Sequence, residues 1–212
     1  MISLSDIRKE YTLAGLRKKD LHPDPIEQFR QWMKSACDAG VLEPTAMSLA
    51  TASGKGVPSI RTVLLKGVDQ RGFQFFSNYE SRKGREMAEN RHASLCFHWR
   101  ELERQICIEG QVSRVEMAES EAYFHSRPLG SQWAAWVSKQ SSIVLSREDL
   151  ENSLESVQRQ YVDQVVPLPH YWGGYILAPV RVEFWQGRPS RLHDRLSYSR
   201  KGGGWQIDRL CP

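Results

Sequence analysis

Short β-forming runs, each closed by turn chemistry and soon followed by another, are what most restricts this chain. Residues 46–51 and 57–66 are two such runs, and Ser53-Gly54-Lys55-Gly56 between them has the small, flexible residues of a hairpin turn. Residues 69–72 turn the chain into a third run at 73–77, and runs at 93–99 and 104–115 follow. Runs joined so tightly leave no room for the crossover that parallel strands need, so they pair as an antiparallel meander. A second set at 173–177, 181–185, 191–199 and 205–209 closes the chain, with Gly202-Gly203-Gly204 as its last turn.

Helical signals lie between and before these runs. Asp24 caps and Pro25 opens a helix whose Phe29, Trp32, Met33 and Ala36 recur at i, i+3, i+4 and i+7, and Gly40 ends it. Ser81 is the N-cap of a short helix to Asn90; others are expected at 117–126, broken by Pro128, at 131–137 and at 147–161. Residues 5–19 are charged with a thin apolar set, which reads as a short helix or an arm lying over something else. The expectation is an α+β, mainly β fold: a closed or split antiparallel β-barrel with peripheral helices, residues 1–20 as an N-terminal arm and 21–212 as a single domain.

The 212 residues carry a formal charge of +4, too mild for a polybasic protein that lives by counterion release on nucleic acid. Cys37, Cys96, Cys107 and Cys211 form no C-x-x-C pair and have no histidine at ligand spacing, which speaks for reduced structural thiols and against a metal site. Charges interrupt the N-terminus before an apolar segment develops, and no run approaches the ~18 apolar residues of a membrane span, so a cytoplasmic protein is expected. Neither glycine-rich nucleotide fingerprint is present, so any phosphate is held another way.

Three basic clusters could hold one. Arg61 and Lys66 sit near the ends of an apolar strand, which taken alone reads more readily as a pair of snorkelling charges on a barrel rim than as an anion site. Ser81-Arg82-Lys83 puts two cations at a helix start, where free N–H groups favour an anion and the macrodipole disfavours cations; an exposed basic turn is the plain alternative. Tyr123, Arg127 and Ser131 recur at four-residue spacing and together suit a phosphate monoester, although Arg127 alone could cap its helix. Gln140-Ser141-Ser142 is a polar loop patch. From Arg181 to Arg209 there are seven Arg/Lys against three Asp/Glu, and in Arg191-Leu192-His193-Asp194-Arg195 a strand would align Arg191, His193 and Arg195 on one face. A histidine so flanked calls for an anion nearby.

With these residues in view the chain resembles the pyridoxine (pyridoxamine) 5′-phosphate oxidase family. The likeness runs through 182–195, 61–66, Ser81-Arg82-Lys83, Ser126-Arg127-Pro128, Ser131-Gln132, 135–138, Gln140-Ser141-Ser142 and Trp172-Gly173-Gly174, in the family's order. The resemblance implies a split-barrel homodimer with FMN at the subunit interface, oxidising pyridoxamine or pyridoxine phosphate to pyridoxal phosphate with dioxygen as acceptor and hydrogen peroxide as by-product. It implies FMN contacts from Arg61, Thr62, Val63, Leu64, Leu65, Lys66, Phe76, Ser77, Arg82, Lys83, Gln105, Gln140, Ser141, Trp185 and Arg195. Substrate contacts would come from Lys66, Tyr123, Arg127, Ser131, Arg191, Leu192 and His193, with Arg8, Lys9, Glu10 and Tyr11 closing over the site. Arg191 and His193 would lie nearest the reacting carbon. Phe76-Ser77 stands where Tyr-Thr is common, and Leu129 and Trp133 are atypical for the substrate loop.

Two rival readings remain at this stage. One is a split-barrel flavoprotein with a different job, such as a flavin reductase or a pyridoxal phosphate carrier. The other is a nucleic-acid-binding barrel in which Phe73, Phe75 and Trp99 stack bases.

Overall fold

A computed structural model describes residues 10–212. Its strands are β1 (Ala46–Ala52), β2 (Pro58–Leu64), β3 (Gly67–Asp69), β4 (Gly72–Asn78), β5 (His92–Trp99), β6 (Arg104–Arg114), β7 (Trp172–Gln186), β8 (Asp194–Lys201) and β9 (Gly204–Leu210). Its helices are α1 (Pro25–Asp38), α2 (Arg82–Glu89), α3 (Met117–Ser126), α4 (Leu129–Val137) and α5 (Arg147–Gln160). The sheet runs β2-β1-β5-β6-β7-β4-β3, every pairing antiparallel, with β8 also on β7 and β9 on β8.

β7 is where the sheet divides. Its first half pairs with β4, its second half pairs with β8, and β6 runs along its whole other edge. The far edges of the sheet nearly meet, because only Leu65 and Lys66 separate β2 from β3. Leu65 N–H donates to Thr45 O at 2.9 Å and Lys66 N–H to Gln74 O at 2.8 Å, which curls the sheet into the split barrel expected from the sequence.

Alternation along each strand decides what lies inside. Met47 and Leu49, Leu95, Phe97 and Trp99, Ile106 and Ile108, and Phe73 and Phe75 all point into one core, 2% exposed or less. α1 fills the barrel as its apolar stripe predicts: the Phe29 ring meets Phe73 at 4.9 Å and Phe97 at 5.0 Å, and Trp32 meets Phe184 edge-on at 5.1 Å. The Asp24 carboxylate accepts from Ile26 N–H at 2.8 Å, so the cap is as read. Burial of Phe73, Phe75 and Trp99 leaves no aromatic face there for a nucleic acid, and the base-stacking reading fails on that geometry.

Two other expectations are corrected. The runs at 173–177 and 181–185 belong to one strand, because the register shift opposite Glu109/Gly110 leaves Val180 as a bulge beside Pro179 and the proline ends nothing. The run at 191–199 begins only at Asp194, since Pro189–Arg191 form a 3-10 turn in which Ser190 (φ 56°) and Arg191 (φ 61°) take left-handed backbone. Arg191 is therefore not on a strand face with His193 and Arg195.

Within residues 10–20 the chain is extended, except for a 3-10 turn at Lys18–Asp20, and it lies across β6 and β8. Thr12 and Leu13 N–H donate to the Glu103 carboxylate, Leu16 N–H to Asp194 at 2.9 Å, and Leu16 itself is buried. Arg8 and Lys9 lie outside the described residues. Among the described residues, no helix is long and apolar enough to cross a membrane.

Candidate active site

A cavity of about 580 Å³ opens where β2 passes into β3, walled by α3, α4 and the start of α2. Lining it are Thr62, Val63, Leu64, Lys66, Phe76, Ser77, Lys83, Tyr123, Arg127, Ser131 and Gln140, all expected from the sequence, together with Asn78, Ala134, Ser138 and Trp172, which were not. Residues from 62 to 172 thus meet because the barrel edge closes there.

Lys83 enters the cavity from the first turn of α2. Ser81 is spent on capping: its hydroxyl accepts from Gly84 N–H at 3.2 Å and donates to Asn78 O at 2.7 Å. Gly84 is required there, since a Cβ would come within 2.1 Å of Tyr79 O. This tight entry buries the Lys83 stem and leaves its ammonium donating to Gln140 Oε1 at 2.6 Å and Ser77 Oγ at 3.2 Å, all neutral partners. Burial, and then the charge of Arg61, push its pKa from 10.5 down to about 8.

Arg61 and Arg82 do not line the cavity; they converge beside Lys83 on the buried Glu86. Arg82 Nε donates to Glu86 Oε1 at 2.8 Å and Arg61 Nη2 lies 3.3 Å from Oε2, while Thr51 and Ser59 hydroxyls each donate to Oε2 at 2.5 Å. Burial raises the Glu86 carboxyl, but these donors outweigh it and hold it at about 2. Arg61 also donates to Leu49 O and Thr51 Oγ1. Two arginines therefore share one carboxylate, while Lys83 beside them bonds only neutral groups and feels Glu86 at longer range. Sequence reading missed Glu86, although its i+4 spacing from Arg82 on a helix was a usable signal.

Arg127 stands at the C-cap of α3, so the capping reading is right for its backbone, yet its guanidinium turns into the cavity. It lies 4.6 Å from the Trp172 ring, and its Nη1 is buried with no hydrogen-bond partner. Such an orphaned charged donor is expensive unless an anion completes it. Phe76 stacks on Tyr123 at 3.9 Å and 23°, and Trp172 continues the aromatic wall. The unmet donors of Arg127 and the under-compensated charge at Lys83 fit two phosphate groups better than any neutral ligand.

Leu65 turns its side chain into the core, Ser141 is exposed in its loop with φ 73°, and Leu192 is 71% exposed. None of these reaches the cavity, nor do Gln105, Trp185, Arg191, His193 and Arg195. Gln105, Trp185 and Arg195 instead form one cross-strand row over β6, β7 and β8, in direct register. His193 packs on Trp185 with ring centroids 4.7 Å apart, and its Nδ1 accepts from Arg188 N–H at 3.1 Å, leaving Nε2 to carry the proton when the ring is neutral. Tyr11 from the arm closes over both, 5.6 Å from the Trp185 ring and 5.8 Å from His193, while Glu10 is exposed. Arg195 is paired with Glu183 by contacts of 2.7 and 3.1 Å, so the argument that two bare arginines flank His193 does not hold.

The row and the cavity share the outer face of one sheet but are separated along it. Along β7 itself, Trp172 in the cavity wall and Trp185 in the row are thirteen residues apart, roughly 40 Å of extended strand. Between them the face is lined with small side chains, Ser48, Ala50 and Ser94, with the exposed Ile60 at its margin.

Comparison with known proteins gives the family and the fold. Residues 33–161 match the family model described as pyridoxamine 5′-phosphate oxidase, and residues 172–212 match the pyridoxine 5′-phosphate oxidase C-terminal dimerisation region. A pyridoxine/pyridoxamine 5′-phosphate oxidase of Cyanothece sp. is 53% identical over all of this chain and 99% of its own length. One from Salinibacter ruber is 54% identical over the whole of both chains. Among solved structures, PhzG from Burkholderia lata in complex with tetrahydrophenazine-1-carboxylic acid is 33% identical, with a TM-score of 0.89, covering 95% of this chain and 100% of its own. A pyridoxamine 5′-phosphate oxidase-related, FMN-binding protein of Nostoc punctiforme has the same fold at a TM-score of 0.70 and 15% identity, over 87% of this chain and 97% of its own.

Proposed function

The chain belongs to the pyridoxamine 5′-phosphate oxidase family, and from that premise we propose that it oxidises pyridoxamine and pyridoxine 5′-phosphate to pyridoxal 5′-phosphate with FMN as cofactor, in sites shared by two copies in the cytosol. The observation that carries the reading is one cavity holding two separately desolvated cations, Lys83 and Arg127, neither with an anionic partner. Identity above 50% to relatives named for this reaction favours it over the chemistry of the 33% identical phenazine-binding neighbour and over a flavin reductase or carrier.

Arg61, Arg82 and Lys83 supply the charge for the FMN phosphate, and Gln140 and Ser77, now tied to Lys83, would share in it. Lys66, Tyr123, Arg127 and Ser131 take the substrate phosphate; Arg127 provides the fork and the hydroxyls provide neutral donors. Anchoring the phosphate fixes where the 4′ carbon lies, which turns an encounter into an oriented reaction. When bound, FMN would supply the hydride acceptor for that carbon and the route for the electrons to dioxygen, with hydrogen peroxide as by-product and ammonia from the amine substrate after hydrolysis.

Gln105, Trp185, His193 and Arg195 lie too far along the sheet to act on the cavity of their own chain. A two-fold axis over the small-residue face would carry each chain's row to its partner's cavity and make two equivalent sites. The match of 172–212 to a dimerisation region supports this assembly. Arg191 and His193 then orient the pyridine ring and stabilise charge as hydride leaves, under the Tyr11 arm. Purified protein should be yellow, and with pyridoxamine 5′-phosphate in air it should form aldehyde and peroxide in equal amounts; protein that cannot be loaded with FMN, or loaded protein without turnover, would overturn the reading.

A further inference from the structure

Cys96 and Cys107 lie eleven residues apart in sequence and directly opposite each other in space, as register partners on β5 and β6. Both are free, half-buried thiols on the outer face of the sheet. Antiparallel partners have Cα atoms about 4.5 or 5.5 Å apart depending on pair type, and both values fall in the range of about 4.4–6.8 Å that a disulfide spans. The register therefore puts the pair at a Cα spacing that admits a disulfide.

Its neighbours tie it to the proposed flavin site on both sides. Gln105 Nε2 donates to Cys107 Sγ at 3.4 Å, and Cys107 is the register partner of Glu183, the carboxylate that holds Arg195. In the other direction Cys96 is the partner of Ser48, and Ser48 of Thr62 in the cavity wall.

We propose that Cys96 and Cys107 are a reversible disulfide site, oxidised by hydrogen peroxide of the kind the enzyme makes on this same face. The supply of oxidant rests on the oxidase reading; the geometry of the pair does not. Cys96 is the attacking sulfur: the hydrogen bond with Cys107 lowers its pKa against burial, while Cys107 is pushed up by that bond, by burial and by the charges of Glu183 and Glu109. The Cys96 thiolate attacks one peroxide oxygen, the O–O bond breaks, and hydroxide leaves and takes up a proton as water. The sulfenic acid so formed is attacked by Cys107 sulfur, which gives up its proton as a second water departs and the S–S bond forms. Two thiols lose two electrons in total and one peroxide becomes two waters, and a cytosolic thiol reductant restores the pair.

The test treats the FMN-loaded protein and then denatures it, because the proposed dimer covers this face, and reads the thiols by alkylation under non-reducing conditions and intact mass. Added hydrogen peroxide, without substrate, should remove two hydrogens per chain and protect Cys96 and Cys107 together from alkylation, reversibly with dithiothreitol. Cys96→Ser should abolish the linkage and leave Cys107 alkylatable. Turnover of pyridoxamine 5′-phosphate in air should give the same product, and catalase should prevent it. If added peroxide leaves both thiols alkylatable, or carries Cys96 to sulfinic acid without linking Cys107, the site does not exist, whatever the enzyme's activity. If added peroxide closes the pair but turnover generates none, the disulfide site stands and the oxidase reading falls.

Discussion

Replacing Lys83 by methionine separates a cation kept for a ligand from one kept for stability. Lys83 is 7% exposed and its pKa falls from 10.5 to about 8. At about 1.4 kcal/mol per pH unit, that drop means holding the charge in the unliganded fold costs about 3 kcal/mol at neutral pH. Between about pH 8 and 10.5 the unfolded chain keeps the Lys83 proton and the folded chain does not. Wild-type stability must therefore gain over this window relative to Lys83→Met, by about 3 kcal/mol in all. Urea unfolding of both apoproteins at equal concentration, from pH 7 to 10.5, reads that difference directly, because every other titrating group is common to both. FMN affinity at pH 7 should fall about 10- to 100-fold in the variant, the size of one lost charge-assisted contact. A stability difference that does not change with pH, together with unchanged FMN affinity, would refute the reasoning.

Glu86→Gln should lower neutral-pH stability by about 3 kcal/mol, since Arg61 keeps its burial and loses its counter-ion. The Glu86 carboxyl is depressed to about 2 from 4.5, so its contribution is present above pH 4.5 and is lost as pH falls toward 2; acid unfolding of the variant should be correspondingly flatter, which circular dichroism would follow. Arg127→Leu should raise KM for pyridoxamine 5′-phosphate about 10- to 100-fold with FMN content unchanged, as steady-state kinetics and the visible spectrum together would show. Arg191→Ala should cut turnover far more than FMN content and Arg82→Ala should do the reverse; equal loss of both in either variant would contradict the assignment.

Much of this was legible in the sequence because the signals are local. The Asp24 and Ser81 caps, the α1 stripe and the hairpin at 53–56 depend on neighbours within a turn or two, and each is where the pattern put it. The four-residue spacing of Tyr123, Arg127 and Ser131 also held, although Arg127 sits just past its helix. What local pattern could not show was pairing between distant segments. Pro179 reads as a break until the bulge opposite Glu109/Gly110 explains it, and Arg191 reads as strand until the left-handed turn removes it. The Cys96–Cys107 pair and the Arg195–Glu183 bond exist only through β5–β6 and β7–β8 registers. The resemblance placed site residues on a list, but not the division of that list between a cavity at one end of β7 and a row at the other.

That division is tested most directly by mixing two variants that turn over little at substrate well below the wild-type KM, Arg127→Ala from the cavity and Arg191→Ala from the turn beside the row, co-expressed with different tags and assayed at that concentration. A hybrid dimer carries both defects in one site and none in the other. Random pairing makes about half the dimers hybrid, each with one intact site of two, so the mixture should recover about a quarter of wild-type turnover. If purified hybrids are no more active than the two variants alone, the site is complete within one chain and the account is wrong.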